Sequence, residues 1–329
     1  MESTSKKLAI FPAAGGLGTS TSTHLLKLVD PSQIILIARY PEKIPAHVKD
    51  TGVTIRKADY DHAETLEHAF DGVWCLNLIS YPSIQNEHRA MVHKRAISAA
   101  RHSGVSHIIY SSLAFGGACT PHSTAHVMQP HLSTEAHLSS LTAAAAAAAT
   151  DKAFTYTAVR EGLYSESFPI YTGFFNLKSP TTEIAIPHDG SGPGIAWAKQ
   201  DELGEATARL IASYAKSKSP TDFSHTNKII LLSGPRAISL SETVKILGKA
   251  TGNPQLHIRP VSVEKYSELP QVRAVWPKGG SETPEQWATS FEAIRRGETA
   301  VVTPLLAEIL GRDPEPFEKT VEELTKKSV

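Results

Sequence analysis

A short apolar run, Leu8-Ala9-Ile10-Phe11, leads into Pro12-Ala-Ala-Gly15-Gly16-Leu17-Gly18-Thr19-Ser20 and then into a helical pattern at His24, Leu25, Leu26, Leu28 and Val29. Strand, glycine turn and helix in that order form a phosphate-binding device. The helix start offers unpaired backbone N–H groups and the positive end of its dipole, and glycines let a pyrophosphate come close. Gly15, Leu17, Gly18 and Thr19 are the expected contacts. Pro12 stands where a Gly-x-x-Gly-x-x-Gly turn would begin. It has no N–H, so the turn must draw on other donors.

The next strand, Ile34-Ile-Leu-Ile-Ala38, is followed by Arg39. A dinucleotide fold places the group that meets the adenosine ribose here. An acidic residue favours a 2′-hydroxyl, whereas a guanidinium offers planar donors to a 2′-phosphate. The cofactor is therefore expected to be NADP(H), with Lys43 a second cation. The next strand end carries Asp59, a candidate for the adenine amine and equally a turn residue.

Apolar runs near residues 7–12, 33–38, 53–57, 73–79, 107–112 and 154–159 read as doubly covered parallel strands. Helical patterns lie between them, one opening at Asp61-His-Ala-Glu64 with capping-box spacing, one over about Asn86 to His102, and one from near Ser133 through the alanine run Ala143 to Ala149. After residue 160 come aromatics, prolines and glycines, then a helix from about Asp201 to Lys216, a strand at Ile229–Leu232 and a helix capped by Ser239. The expected fold is α/β, a Rossmann-type doubly wound parallel sheet with a smaller mixed C-terminal lobe. Residues 1–160 would form the NADP(H)-binding domain. Residues 161–329 would form a mostly helical substrate-binding lobe, interleaved with the last sheet strands.

The chain carries 33 basic and 33 acidic residues, which gives no bulk attraction to nucleic acid or an anionic membrane. No apolar stretch reaches membrane-spanning length and the first residues lack a leader pattern, so the expected location is cytoplasmic. His122, His126, His131 and His137 lie close in sequence but lack partners at ligand spacing, so no metal is expected. The strand ends Leu78-Ile79-Ser80 and Tyr110-Ser111-Ser112-Leu113 should face the cofactor, with Leu113 toward substrate. Phe168, Tyr171, Phe174, Phe175 and Trp197 could line a pocket for a flat molecule or form the lobe's core. The Tyr-x-x-x-Lys pair of short-chain dehydrogenases occurs once, Tyr214-Ala-Lys-Ser-Lys218, far beyond its expected place. That place holds His131-Leu-Ser-Thr134-Glu135-Ala-His137-Leu138.

The glycine turn, Arg39, Tyr110-Ser-Ser, His131-x-x-Thr134-Glu135-x-x-Leu138, Phe154-Thr-Tyr-Thr-Ala-Val-Arg160-Glu161-Gly162-x-Tyr164-Ser-Glu-Ser, Ala198-Lys-Gln-Asp201 and Leu232-Ser-Gly234 follow one another in an order that resembles the NmrA-like group of atypical short-chain dehydrogenases. Within that group the chain is similar to the NADPH:quinone oxidoreductase type 2 proteins, to about residue 270. The resemblance implies NADP(H) at Gly15 to Thr19, at Arg39 and along Arg160–Tyr164, with Glu161 and Gly162 near the nicotinamide. Glu161 stands where those reductases carry asparagine. It also implies hydride transfer to a quinone-like or conjugated carbonyl compound in a monomer or homodimer, with a place in secondary metabolism. Tyr164, which would also touch substrate, and His131 are the proton-donor candidates, and Glu135 is expected to cap a helix or to orient its neighbours. The rival expectations are a non-catalytic NADP(H)-sensing regulator that binds a protein partner, and an isomerase or cyclase that retains the fold.

Overall fold

The computed structural model describes residues 6–147, 154–219 and 222–328. Its strands are β1 (Lys7–Phe11), β2 (Ile34–Ala38), β3 (Thr54–Lys57), β4 (Val73–Ile79), β5 (His107–Leu113), β6 (Thr155–Glu161), β7 (Glu183–Ile186), β8 (Lys228–Leu232) and β9 (His257–Pro260). The helices are α1 (Gly16–Leu25), α2 (Ala46–Lys49), α3 (Asn86–His102), α4 (Gln129–Ala147), α5 (Phe168–Tyr171), α6 (Gln200–Lys216), α7 (Leu240–Ala250), α8 (Val263–Ser267), α9 (Pro270–Val275), α10 (Pro284–Arg295), α11 (Leu305–Leu310) and α12 (Phe317–Ser328).

Seven strands form one parallel sheet in the order β3-β2-β1-β4-β5-β6-β8, and β7 pairs with β9 in a separate parallel ribbon. Both faces of the sheet's centre are covered: every residue of β2 and β6 is buried, and β2 is apolar throughout, whereas the edge strand β3 has none of its four residues buried. On one face Leu8, Ile10 and Leu36 pack with Leu17, Leu25, Leu203 and Ile211 of α1 and α6. On the other, Ala9, Leu76 and Ile108 pack with Val92, Ala96 and Ile97 of α3 and Leu138 of α4. A third core, under the C-terminal lobe, gathers Trp197, Tyr171, Phe291 and Val321. The strand order reverses between β1 and β4, so the crevice beyond their carboxyl ends is the ligand position of such sheets.

Two local expectations are corrected. The segment after Asp61 is a single 3-10 turn, Ala63–Leu66, with His62 at its cap and no side-chain cap bond. The Asp61 carboxylate is instead drawn to Tyr81 Oη (2.9 Å) and His88 Nε2 (2.9 Å). The α4 helix begins at Gln129, four residues before Ser133, because Pro130 in a first turn forfeits only an N–H that has no helical partner. Ala148 and Ala149 of the alanine run lie outside the described residues. The Tyr214-x-x-x-Lys218 spacing carries no catalytic pair: Tyr214 is buried and stacks on His107 (4.0 Å between ring centres), at the start of β5 and so at the sheet's opposite edge.

Candidate active site

The turn after β1 is shaped by two glycines with different duties. Gly15 has φ +108°, and a Cβ added there would meet nothing within 4 Å, so the backbone faces open space. Gly18 is the opposite case: a Cβ would lie 2.3 Å from the Pro12 carbonyl oxygen, so the first turn of α1 rests directly on the loop. Pro12 follows a cis peptide bond, and the Ala13 N–H is spent on the Ile37 carbonyl of β2 (2.8 Å). The donors left are the amides of Gly16, Leu17 and Gly18, which precede the bond from Thr19 N–H to the Gly15 carbonyl. No side chain caps them and the first turn holds no acidic residue. That is an anion site of the helix-terminus kind, and it fits a pyrophosphate.

At the end of β2, Arg39 is half exposed and its Nε donates to Asp59 Oδ2 at 2.9 Å, while Nη1 stands 3.8 Å from Asp61 Oδ2. The guanidinium is therefore anchored through Nε while the group as a whole stays half exposed. Tyr40, an exposed aromatic that sequence reasoning passed over, lies beneath both Arg39 (5.1 Å) and Lys43 (4.6 Å) as a cation–π partner. Asp59 also accepts the Asp61 N–H, so it serves the turn as well as the guanidinium.

The ends of β4, β5 and β6 bring the other candidates together. Arg160 is fully buried and bonds Glu135 through both oxygens, Nε–Oε1 at 3.0 Å and Nη2–Oε2 at 2.7 Å. Its other donors reach the carbonyls of Phe115 (3.0 Å) and Thr120 (2.9 Å), and Ser112 Oγ donates to Glu135 Oε1. Arg160 thereby grips the 115–120 loop from inside. From outside, Glu298 accepts the amides of Gly116 and Thr124 and the hydroxyls of Ser123 and Thr124. Neither Glu298 nor the loop it holds was visible as a unit in the sequence.

Ser80 sits at the end of β4, where its Oγ accepts from Arg89 Nη2 at 2.7 Å and contacts His93 Nε2 at 3.1 Å. His93 Nδ1 faces Thr134 Oγ1 (3.0 Å) and Tyr110 Oη (3.3 Å), and Tyr110 Oη meets His131 Nδ1 at 3.0 Å. Burial, reinforced by Arg89, holds both imidazoles well below the usual histidine range, and burial raises the Tyr110 phenol to about 12. Arg89 and His93 were missed in the sequence. They lie four residues apart on one face of α3, a spacing that any helix shows.

Glu161 is buried and its Oε1 accepts from Thr207 Oγ1 (3.2 Å), while Oε2 has no partner among the described residues. Burial pushes its carboxyl up to about 8, against a small opposing pull from Thr207. Tyr164 is partly buried, with its phenol raised by burial and then by Glu161 and Glu166. Gly162 packs where a Cβ would lie 2.8 Å from the Leu232 carbonyl oxygen. Leu78 and Ser111 are buried at the strand ends, with Ile79 and Leu113 beside them half-buried. Phe168, Tyr171 and Trp197 lie in the lobe's core, Trp197 stacked on Phe317 at 5.1 Å and Tyr171 against Trp287 at 5.3 Å. Phe175 is buried in that core too, and Phe174 packs on its edge against Trp276. Among the described residues no three His, Cys, Asp or Glu side chains gather as metal ligands would, and no helix is long and apolar enough to cross a membrane.

The state of Glu161 can be tested by pH. The unfolded carboxyl ionises near 4.5 while the folded one keeps its proton to about 8, so the folded state binds more protons in between and stability falls as pH rises across that interval. Glu161→Gln should flatten this slope and be more stable than the parent at pH 8. Urea unfolding at pH 5 and pH 8 measures it, and parallel losses in both proteins would contradict a protonated Glu161.

Comparison with known proteins agrees with this geometry. The family model described as the NmrA-like family matches residues 4–281. An NmrA-like family domain-containing oxidoreductase of Aspergillus flavus is 30% identical over 95% of this chain and 92% of its own. Quinone oxidoreductase 2 of Escherichia coli is 31% identical over 74% of each chain. The crystal structure of the Escherichia coli NADPH-dependent quinone oxidoreductase complexed with NADPH superposes with a TM-score of 0.76 at 27% identity, covering 96% of this chain and 99% of that one.

Proposed function

This chain belongs to the NmrA-like family, and from that premise we propose that it is an NADPH-dependent reductase of a quinone-like or conjugated carbonyl compound. It is an oxidoreductase of the quinone-reductase type, and its cofactor is NADP(H). The observation that carries the reading is the pairing of an uncapped helix start at Gly16–Gly18 with a half-exposed Arg39 at the end of the neighbouring strand. The first suits a pyrophosphate and the second a 2′-phosphate.

When bound, the nicotinamide supplies a hydride. The chain's own residues do the rest. The amides of Gly16, Leu17 and Gly18 hold the phosphates, Arg39 and Lys43 the ribose phosphate, and Glu135 with Arg160 fixes the 115–120 wall. A flat acceptor that becomes a stabilised oxyanion needs orientation and water exclusion more than a strong acid, which agrees with a site that lacks the Tyr-x-x-x-Lys pair. His131, Tyr164 and Glu161 are the candidate proton-bearing groups, Glu161 as the last residue of β6 and His131 bonded to Tyr110 of β5.

The purified protein should bleach the reduced-nicotinamide absorbance when NADPH is mixed with a panel of quinones. Tight NADPH binding with no turnover on any acceptor would favour the sensing-regulator reading instead.

A further inference from the structure

We infer that His131 acts as a neutral hydrogen-bond donor, presenting Nε2–H to the acceptor's oxygen, and that His93 and Tyr110 are positioning residues that fix this tautomer. The inference rests on the reductase reading above. It starts from the Tyr81 backbone N–H, which donates to His93 Nε2 at 2.9 Å. An amide N–H can only donate, so Nε2 is an acceptor and the ring's proton sits on Nδ1. Ser80 Oγ, already accepting from Arg89, adds its own hydroxyl proton to the same nitrogen.

The His93 Nδ1–H then faces Thr134 Oγ1 and Tyr110 Oη. Thr134 gives its hydroxyl proton to the Pro130 carbonyl (2.7 Å), so toward His93 it accepts. Tyr110 likewise meets a donor on the His93 side. The Ser80 and Thr134 hydroxyls also lie near the phenol, but each already accepts, Ser80 from Arg89 and Thr134 from His93, so the phenol proton goes to His131 Nδ1, at 3.0 Å. With Nδ1 accepting, the neutral His131 ring carries its proton on Nε2. That nitrogen is buried, in a residue 2% exposed, and has no partner among the described residues.

A buried donor without an acceptor is rare in a folded protein and calls for an explanation. Here the surroundings name the ligand. Arg89 and Arg160 both act on the ring with positive potential. An oxygen that gains negative charge is favoured at such a place, and a donor fixed beforehand needs no reorganisation to meet it. The acceptor carbon gains a C–H bond as the nicotinamide C–H bond breaks, the acceptor is reduced and the nicotinamide oxidised. The displaced π pair moves to the acceptor's oxygen, which His131 Nε2–H binds, and water later supplies the proton.

Selective 15N labelling of histidine tests the tautomer without turnover. The His131 Nε2 resonance should fall in the protonated range and Nδ1 in the unprotonated range. Tyr110→Phe should mix or reverse the two forms, and a phenolate added as an oxyanion probe should move the Nε2–H signal. With a quinone, His131→Leu should lower kcat about 100-fold or more with NADPH affinity unchanged. His131→Gln, which keeps an N–H donor, should recover part of that. The kcat–pH profile should show no ionisation belonging to His131. An Nδ1–H tautomer in the parent protein, or an unchanged kcat in His131→Leu, overturns the inference. A parent protein that turns over no acceptor overturns the reductase reading and the catalytic role with it, while the labelling result still decides the tautomer.

Discussion

Glu135→Leu should lower the free energy of unfolding by about 3–5 kcal/mol, the largest single-site loss expected in this chain. Arg160 is fully buried, and both oxygens of Glu135 answer its guanidinium. Removing the carboxylate leaves a charge in the interior with two carbonyls, those of Phe115 and Thr120, as its remaining partners. Desolvation then dominates, because an unpaired interior charge costs more than the lost attraction alone. The 115–120 loop should loosen at the same time, since Arg160 is what ties it to β6. The double replacement Glu135→Leu/Arg160→Met should recover most of the loss, because an apolar pair of similar volume needs no solvation. Urea unfolding of the four proteins in a double-mutant cycle measures the coupling. A loss under 1 kcal/mol in Glu135→Leu would mean that water reaches the pair.

Arg39→Ala should weaken NADPH binding by roughly tenfold or more and leave NADH binding nearly unchanged. A hydrogen bond to a charged group contributes about 1.5–3 kcal/mol, and only one of the two cofactors carries the phosphate that receives it. The geometry sharpens the expectation. Asp59 takes Nε and holds the group in place, while the group as a whole stays half exposed. Asp59→Asn should therefore lower discrimination too, by freeing the side chain, but by less than the loss of the guanidinium itself. Calorimetric titration with each nucleotide reads both effects. Equal losses for NADPH and NADH in Arg39→Ala would remove the 2′-phosphate role and with it the basis for preferring one coenzyme.

Much of the frame was legible in the sequence because it follows from burial. The inner strands of the large sheet are covered on both faces, so most of them read as short apolar runs, and even the late strand at Ile229–Leu232 stood out. The glycine turn and Arg39 were legible because a phosphate imposes them at a fixed spacing. The Asp61 segment was misread because capping-box spacing is a local pattern. It says nothing of Tyr81 and His88, which outbid the helix for the carboxylate. The histidine network could not be read at all. Its members come from the ends of β4 and β5 and from the faces of α3 and α4, and only the folded sheet makes them neighbours. Glu135 was legible as a capping or orienting residue, but its bidentate hold on Arg160 was not. The β7–β9 ribbon also escaped notice, since its four-residue strands lie among the prolines and glycines of the second half, outside the strand–helix alternation that marked the equally short β3.

The clamp on the 116–124 loop has a consequence for where the chain can be cut. Glu298 lies beyond residue 281, where the match to the family model stops, yet it fixes the segment that follows a central sheet strand. The glycine turn and Arg39, by contrast, lie inside the matched stretch. Yet the tail is no mere appendage to that half: Leu306 and Leu310 share a core with Leu17 and Leu203, and Arg312 pairs with Glu202 and Glu205 of α6. Trimming the protein at the end of the shared region would therefore free the segment after β5 and uncover α6 together.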